Sequence, residues 1–251
     1  MKDLKKNYHT HTYRCGHAKG ADRDYVENAV RAGFELLGFS DHAPMPFPDG
    51  HESPFRMKLA ETAGYFESVA RLREEYAGQI RILAGLEVEY YPAHFQRFLD
   101  FIGQFPVDYL ILGQHFVWEE REGNGVFAET KDPGLLKGCY DCMLEGAATG
   151  SFLYIAHPDV LRYTGDETAY ETLTRDFLTE VKKLGVPLEL NRLGMADGRI
   201  YPREKFWQLA GDYGVPAYVG MDAHDPAALL DEKNVDRCLR LARSCGVRVL
   251  D

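Results

Sequence analysis

No stretch of the 251-residue chain approaches the roughly 18 consecutive apolar residues that a membrane-spanning helix needs, which excludes a helical membrane protein. The opening Met1-Lys2-Asp3-Leu4-Lys5-Lys6 is charged, but no apolar segment follows it, so it does not read as a secretory signal. Cysteine is scarce. The five present (Cys15, Cys139, Cys142, Cys238 and Cys245) are an odd number thinly spread, which fits reduced thiols in the cytoplasm rather than a disulfide framework. Cys139-Tyr140-Asp141-Cys142 lies in a helical pattern with no second CxxC, so no redox or zinc role is expected of it. Positive charge is also in deficit, 29 Lys and Arg against 39 Asp and Glu, for a net charge of -10. Such a surface repels phosphate backbones and argues against a nucleic-acid partner. Internal repeats, low-complexity tracts and Ser/Gly-rich linkers are missing too, so residues 1–251 are expected to form one domain. The remainder is ordinary globular composition, 45% hydrophobic and 27% charged.

What is present is an alternation. Short apolar runs at 7–12, 35–41, 80–89, 109–116, 152–156, 187–191 and 216–220 have the length and residue types of buried strands. Amphipathic stretches of helical length at 22–32, 58–76, 93–104, 133–149, 167–183, 202–213 and 235–244 separate them. Asp22 reads as an N-cap, and Gly33, Gly185 and Gly214 read as helix stops. Repeated βα order implies parallel strands with helices outside. Seven such units predict an α/β fold of the TIM-barrel type, one unit short. An open doubly wound sheet would require a Gly-rich phosphate loop after the first strand, and none is there.

Seven of the nine histidines fall at or just beyond the C-terminal ends of these strands; only His51 and His94 lie elsewhere. The first run ends in His9-Thr10-His11, with His17 in the following loop, and the second ends in Asp41-His42. Glu87 and Glu89 lie in the third, His115 ends the fourth, and His157-Pro158-Asp159 follows the fifth. The sixth ends in Glu189-Leu190-Asn191-Arg192 and the seventh in Asp222-Ala223-His224. Alternate strand residues face the same way, so each His-x-His or Asp-x-His pair can point at one place. In a parallel barrel these ends form a single rim, where barrel chemistry is built. Unpartnered, so many titratable groups would cost several kcal/mol. Two or three metal ions relieve that cost, because neutral imidazoles and carboxylates are ligands. A bound divalent ion lowers the pKa of its water towards ~7, and paired ions clamp phosphate oxygens, so metal-assisted hydrolysis is the leading class. Cys15 is the only thiol near the rim, which argues against an iron–sulfur centre.

The pattern His9-Thr10-His11, His17, Asp41-His42, Glu87, His115, His157-Pro158 and Asp222-x-His224 resembles the polymerase and histidinol phosphatase (PHP) superfamily. The resemblance runs from about residue 7 to 224 and implies a distorted seven-stranded (β/α) TIM-like barrel with a trinuclear metal site. It implies a first metal at His9, His11, Glu87 and Asp222, a second at His17, His42 and His224, and a third at Glu87, His115 and His157. The implied ions are divalent zinc, iron or manganese. Gly85-Leu86-Glu87 matches the family's Gly-x-Glu, which leaves Glu89 behind the ligands rather than among them. Met221 stands where the family more often has serine. Ser40-Asp41-His42-Ala43-Pro44, Arg56-Met57 and Leu112-Gly113-Gln114-His115-Phe116 are most similar to the histidinol phosphate phosphatase branch.

That branch implies a small phosphorylated metabolite as partner, carrying a phosphate, an ammonium and an imidazole, and a place in histidine biosynthesis. A phosphate calls for a planar basic fork, and Arg192, directly after the sixth strand, is the first choice; Arg162, Arg199, Arg14 and Arg56 rank behind it. Asp159, on the face of His157, is expected to take the ammonium, and Phe116 to pack on the imidazole. The Pro-rich loop 43–57 reads as a rim-covering lid, with His51 at its tip. Attack of a metal-bridging hydroxide on phosphorus, without a phosphoenzyme, is the expected mechanism, with Asp222 as proton handler or ligand. Rival readings are a phosphoesterase for another metabolite or nucleotide, a non-catalytic metal-binding regulatory barrel, and an amidohydrolase. The last usually wants a lysine after the fourth strand, and none lies there.

Overall fold

The structure, a computed structural model, describes residues 4–251, so the first three residues of the N-terminal segment lie outside the described residues. Six parallel strands alternate with helices. In chain order they are β1 (Lys6–Asn7), α1 (Asp22–Ala32), β2 (Leu36–His42), α2 (Thr62–Glu75), β3 (Arg81–Val88), α3 (Pro92–Ile102) and β4 (Tyr109–Leu112). Then follow α4 (Pro133–Ala148), α5 (Glu167–Leu184), β5 (Leu188–Asn191), α6 (Arg192–Asp197), α7 (Glu204–Tyr213), β6 (Ala217–Gly220) and α8 (Glu232–Ser244). Strands β1-β2-β3-β4 form one sheet and β5-β6 a second. Single-residue parallel bridges from Leu112 to Ile155 and from Ile155 to Leu188 link the two, and Thr10 bridges Ala223 beyond the end of β6. The result is a curled, parallel half-barrel.

The seven expected strands are therefore six. The 152–156 run contributes bridges only at Ile155, because at His157 the backbone turns to a positive φ of 30° and its N–H goes to the Glu189 carboxylate, 3.1 Å away. The first strand is also shorter than expected. The Asn7 side chain replaces the ladder: its Oδ1 accepts from His9 N at 3.1 Å and from Met221 N at 3.0 Å, while its Nδ2 donates to Thr10 Oγ1 at 2.7 Å. Helix α1 begins at Asp22, but the cap is Ala21, whose N–H donates to Asp24. Asp22 is not free to cap, since Arg14 and Ser68 occupy its carboxylate. Gly33, Gly185 and Gly214 do end their helices in the left-handed conformation. Helix α6 was not expected. It starts directly after β5, capped by the Asn191 side chain on Gly194 N.

The sheet's outer face and the helices enclose the main apolar core. The inside of the curl is filled by Ile111, Tyr154 and Ala156 with Tyr8, Tyr109 and Tyr218 against them. Tyr109 lies across this interior, donating to the Tyr8 and Phe39 carbonyls at 2.7 and 2.9 Å. That plug is a floor, so the polar strand ends above it face one cavity. Cys139 and Cys142 are buried in α4, and burial pushes both thiols up, which suits inert core residues. No helix among the described residues is long and apolar enough to cross a membrane.

Candidate metal centre

Glu87 is the hub. It projects from β3, where its Oε1 lies 2.9 Å from His157 Nε2, 3.6 Å from His9 Nε2 and 3.8 Å from His115 Nε2. Its Oε2 lies 3.0 Å from His42 Nδ1 and 3.5 Å from His11 Nε2. Asp222 Oδ1 adds contacts of 3.2 Å to both His11 Nε2 and His224 Nδ1, and His224 Nε2 meets His17 Nε2 at 3.1 Å. All nine residues assigned to metals by the resemblance thus lie in one connected cluster.

Long-range placement makes the cluster possible. His42 ends β2, and His9 and His11 follow β1 through the Asn7 turn. His157 and Asp222 sit at positive φ, 30° and 46°, which bends their side chains off the strand direction. A non-glycine residue held there is strained, and such strain gathers at functional sites. Gly113 is required by close approach: a Cβ at this position would fall onto the Glu87 carboxylate. Gly113→Ala is accordingly expected to push Glu87 out of the centre. Metal content per chain should fall while circular dichroism stays native, and a variant with wild-type metal content would contradict this.

The electrostatics demand cations. Burial works to raise the Glu87 carboxyl, but the imidazoles around it (His115, His42 and His9, with the His157 hydrogen bond) outweigh burial and hold it well below the ordinary range. Asp222 is held well below its range too, with His9, His11 and His224 overcoming burial. In turn, burial lowers His9, yet Glu189, Asp222 and Glu87 raise it to about 10. Burial drives His42 well down, and burial with the nearby His11 lowers His224, so these imidazoles stay neutral. Positive charge at this point can come from protons on His9 and His11 or from metal ions that displace them. The donor set fits metal. His11 Nδ1, His157 Nδ1 and Glu87 Oε2 are buried without a hydrogen-bond partner. Among the groups that bring one ligand atom per residue within 4.8 Å of the others, Cys15 enters two, with His17 and His224 and with His11 and Asp41, while His9/His11/Asp222, His11/His42/His224 and His9/Glu87/His157 offer only nitrogen and oxygen. These are hard-to-intermediate N and O donors, suited to zinc, iron or manganese.

Behind the nine lies a second layer that sequence reasoning largely missed. Glu189 accepts from His9 Nδ1 at 2.7 Å, Tyr154 at 3.1 Å and Asn191 at 2.9 Å, besides the His157 N–H. Its sequence signal was a lone carboxylate inside a buried apolar run. Asp41 faces His11 Nδ1 at 3.5 Å and accepts from Thr12 and from His42 N. Glu89, expected behind the ligands, accepts from His115 Nδ1 at 3.0 Å. Partners of this kind fix which ring nitrogen carries the proton and which faces the metal.

The cluster opens into a cavity of about 660 Å³, walled by Lys19, Phe55, Phe116, Phe127, Arg192, Arg199, Tyr201 and Asp225, among others. Arg192 reaches it as the first residue of α6, but Nε and Nη2 already donate to the Met221 carbonyl at 3.1 and 2.9 Å. Phe116 lines it, stacked on Phe55 at 5.4 Å. Asp159 does not. The segment after His157 is no strand, so alternation fails, and Asp159 instead accepts from Arg203 N at the start of α7, at 2.6 Å. Its carboxyl is raised to about 6 by burial. Arg162 lines a neighbouring cavity and pairs with Glu129 at 3.2 Å. Loop 43–57 packs against the body, with Met45, Phe47, Ser53, Arg56 and Met57 buried and His51 turned to Glu120 at 3.2 Å, and it brings Phe55 to the cavity wall.

A curled parallel half-barrel with this cluster at its mouth has the build of a metal-dependent phosphoesterase, and the chain belongs to the PHP domain family, whose match covers residues 7–193. Among similar curated proteins is a probable histidinol-phosphatase of Deinococcus radiodurans, 32% identical over 225 residues, 87% of this chain and 85% of that one. A histidinol-phosphatase of Bacillus subtilis is 35% identical over 120 residues, 45% of this chain and 44% of its own. The fold is shared with histidinol phosphate phosphatase of Lactococcus lactis, solved with zinc, L-histidinol and phosphate: TM-score 0.75, 22% identity, covering 98% of this chain and 95% of that one.

Proposed function

We propose that this chain is a metal-dependent phosphomonoesterase that hydrolyses L-histidinol phosphate to L-histidinol and phosphate, within histidine biosynthesis in the cytoplasm. The observation that carries the reading is the Glu87-centred cluster opening into a cavity with both cationic and aromatic walls. Similarity to proteins named histidinol-phosphatase supports the choice of substrate. The reading treats residues 1–251 as one PHP-type unit, with the 152–156 run as the seventh stave of a distorted barrel.

His9, His11, His17, His42, Glu87, His115, His157, Asp222 and His224 would hold two or three divalent ions. Such ions supply an activated water and neutralise charge on the phosphoryl oxygens. The chain's own residues do the rest. Lys19, Arg192 and Arg199 line the cavity and bring positive charge to the phosphate. Phe116, Phe55 and Phe127 offer flat apolar surface to the leaving group's ring. Asp225 and Asp197, rather than the buried Asp159, are the carboxylates available to an ammonium. Asp222 Oδ1, at the cavity wall and 3.2 Å from both His11 and His224, is the carboxylate oxygen placed to hold a metal or to take up a proton.

Phosphate release decides the matter. Protein reconstituted with zinc, manganese or iron should cleave L-histidinol phosphate in preference to nucleotides, sugar phosphates and phosphotyrosine, and a chelator should abolish turnover. Equal rates across the panel would overturn the substrate, and no release with any metal would overturn the enzyme.

A further inference from the structure

A buried ionic cluster lies behind Glu89. Arg56, at the end of the 43–57 loop, is enclosed with its side chain 2% exposed. Its Nη2 donates to Glu89 Oε2 at 2.6 Å and to Glu120 Oε2 at 2.8 Å, and its Nε donates to Glu120 Oε2 at 3.0 Å. Tyr91 OH caps the same Glu89 oxygen, while Ser53 and His51 hold the other oxygen of Glu120. Burying three charges costs several kcal/mol per ion before pairing, so packing alone is a poor reason for them.

The geometry gives a better one. Arg56 and Tyr91 take Oε2 of Glu89, which leaves Oε1 to receive His115 Nδ1 at 3.0 Å and turns His115 Nε2 towards Glu87. The guanidinium also lies over the Phe55 ring, 4.9 Å from its centroid, and Phe55 forms the cavity wall with Phe116. Finally, the next residue is tied to the cluster from the other side, since Met57 N donates to the His42 carbonyl at 3.2 Å.

We propose that Arg56 is a positioning residue for the metal centre: by fixing Glu89 it orients His115, and so sets how firmly a cation is held at the Glu87–His115–His157 corner. The inference rests on the metal-centre reading. A lysine could supply the charge but not the planar Nε and Nη2 pair that grips Glu120 while Nη2 also reaches Glu89. Losing a hydrogen-bond partner behind a metal-ligating histidine typically weakens metal binding by about 10- to 100-fold.

The test is a chelator titration of the full chain loaded with zinc, reading ions retained per chain by elemental analysis, with circular dichroism as the check of fold. Arg56→Met and Glu89→Gln should each release one ion at chelator concentrations about 10- to 100-fold below wild type. Phe177→Leu, a core change in α5 away from the network, should not. A folded Arg56→Met that holds zinc like wild type overturns the proposal, as does equal loss from Phe177→Leu. Should Arg56→Met fail to fold, Glu89→Gln, nearly isosteric, decides in the same way. A wild-type chain that takes up no metal would instead overturn the metal centre itself.

Discussion

Glu87→Gln should remove metal and turnover together. The substitution keeps the shape of the side chain but deletes the charge that five imidazoles converge on, at 2.9 to 3.8 Å. It also turns one acceptor into an NH₂ group facing ring nitrogens that must present lone pairs. Neither Glu89 nor Glu189 can stand in, because Glu89 is committed to Arg56 and His115, and Glu189 to His9, Tyr154 and Asn191. Metal ions contribute several kcal/mol of charge stabilisation to phosphoryl chemistry, so kcat/KM should fall roughly a thousand-fold or more. Elemental analysis beside steady-state kinetics reads both effects. Full metal content with near-normal kinetics would dismiss Glu87 as the hub.

Asp222→Asn should separate chemistry from folding. Asp222 sits at φ 46°, and asparagine tolerates that region better than most residues, so the backbone is expected to keep its course. An asparagine carbonyl can still accept from Asn191 Nδ2, which lies 3.0 Å from Asp222 Oδ2. The change removes a buried carboxylate that contacts His11 and His224 and faces the cavity, and with it a proton acceptor. Loss of a positioned acid–base group typically costs about 10²- to 10⁴-fold in rate, and that range is expected for kcat. Near-normal turnover of a folded variant would take Asp222 out of the scheme.

The resemblance to the PHP superfamily, drawn from residues scattered between 7 and 224, agrees with the family match over 7–193. The last assigned ligands, Asp222 and His224, lie beyond that match, and it is geometry that brings them to the cluster. Strand β2 shows why much of the fold was legible: all seven of its residues are buried, as a parallel strand covered on both faces requires. Strand β1 and the 152–156 run show where legibility stopped. Apolar character marked both, but Asn7 and Glu189 take main-chain N–H groups that a regular ladder would use. A side chain that replaces a backbone partner leaves the hydrophobic pattern unchanged, so periodicity does not register it.

The two arginines make the same point. Arg192, chosen for its place after a strand, spends part of its fork on the Met221 carbonyl. Arg56, set aside as a weak phosphate candidate, proves to be the cation of a buried network behind His115. Asp159 was placed by strand alternation on a segment that is not a strand, and it ends beneath α7 instead of in the cavity.

By itself, the order of residues determined the βα alternation and the imidazoles and carboxylates available at its strand ends, because burial and ligand chemistry leave local marks on sequence. Only the tertiary structure decided which groups meet at Glu87, which carboxylates stand behind them, and which basic residues remain free for a substrate. Those outcomes depend on contacts between residues up to 214 positions apart, as from Asn7 to Met221, and on backbone turns at His157 and Asp222 that no local pattern encodes.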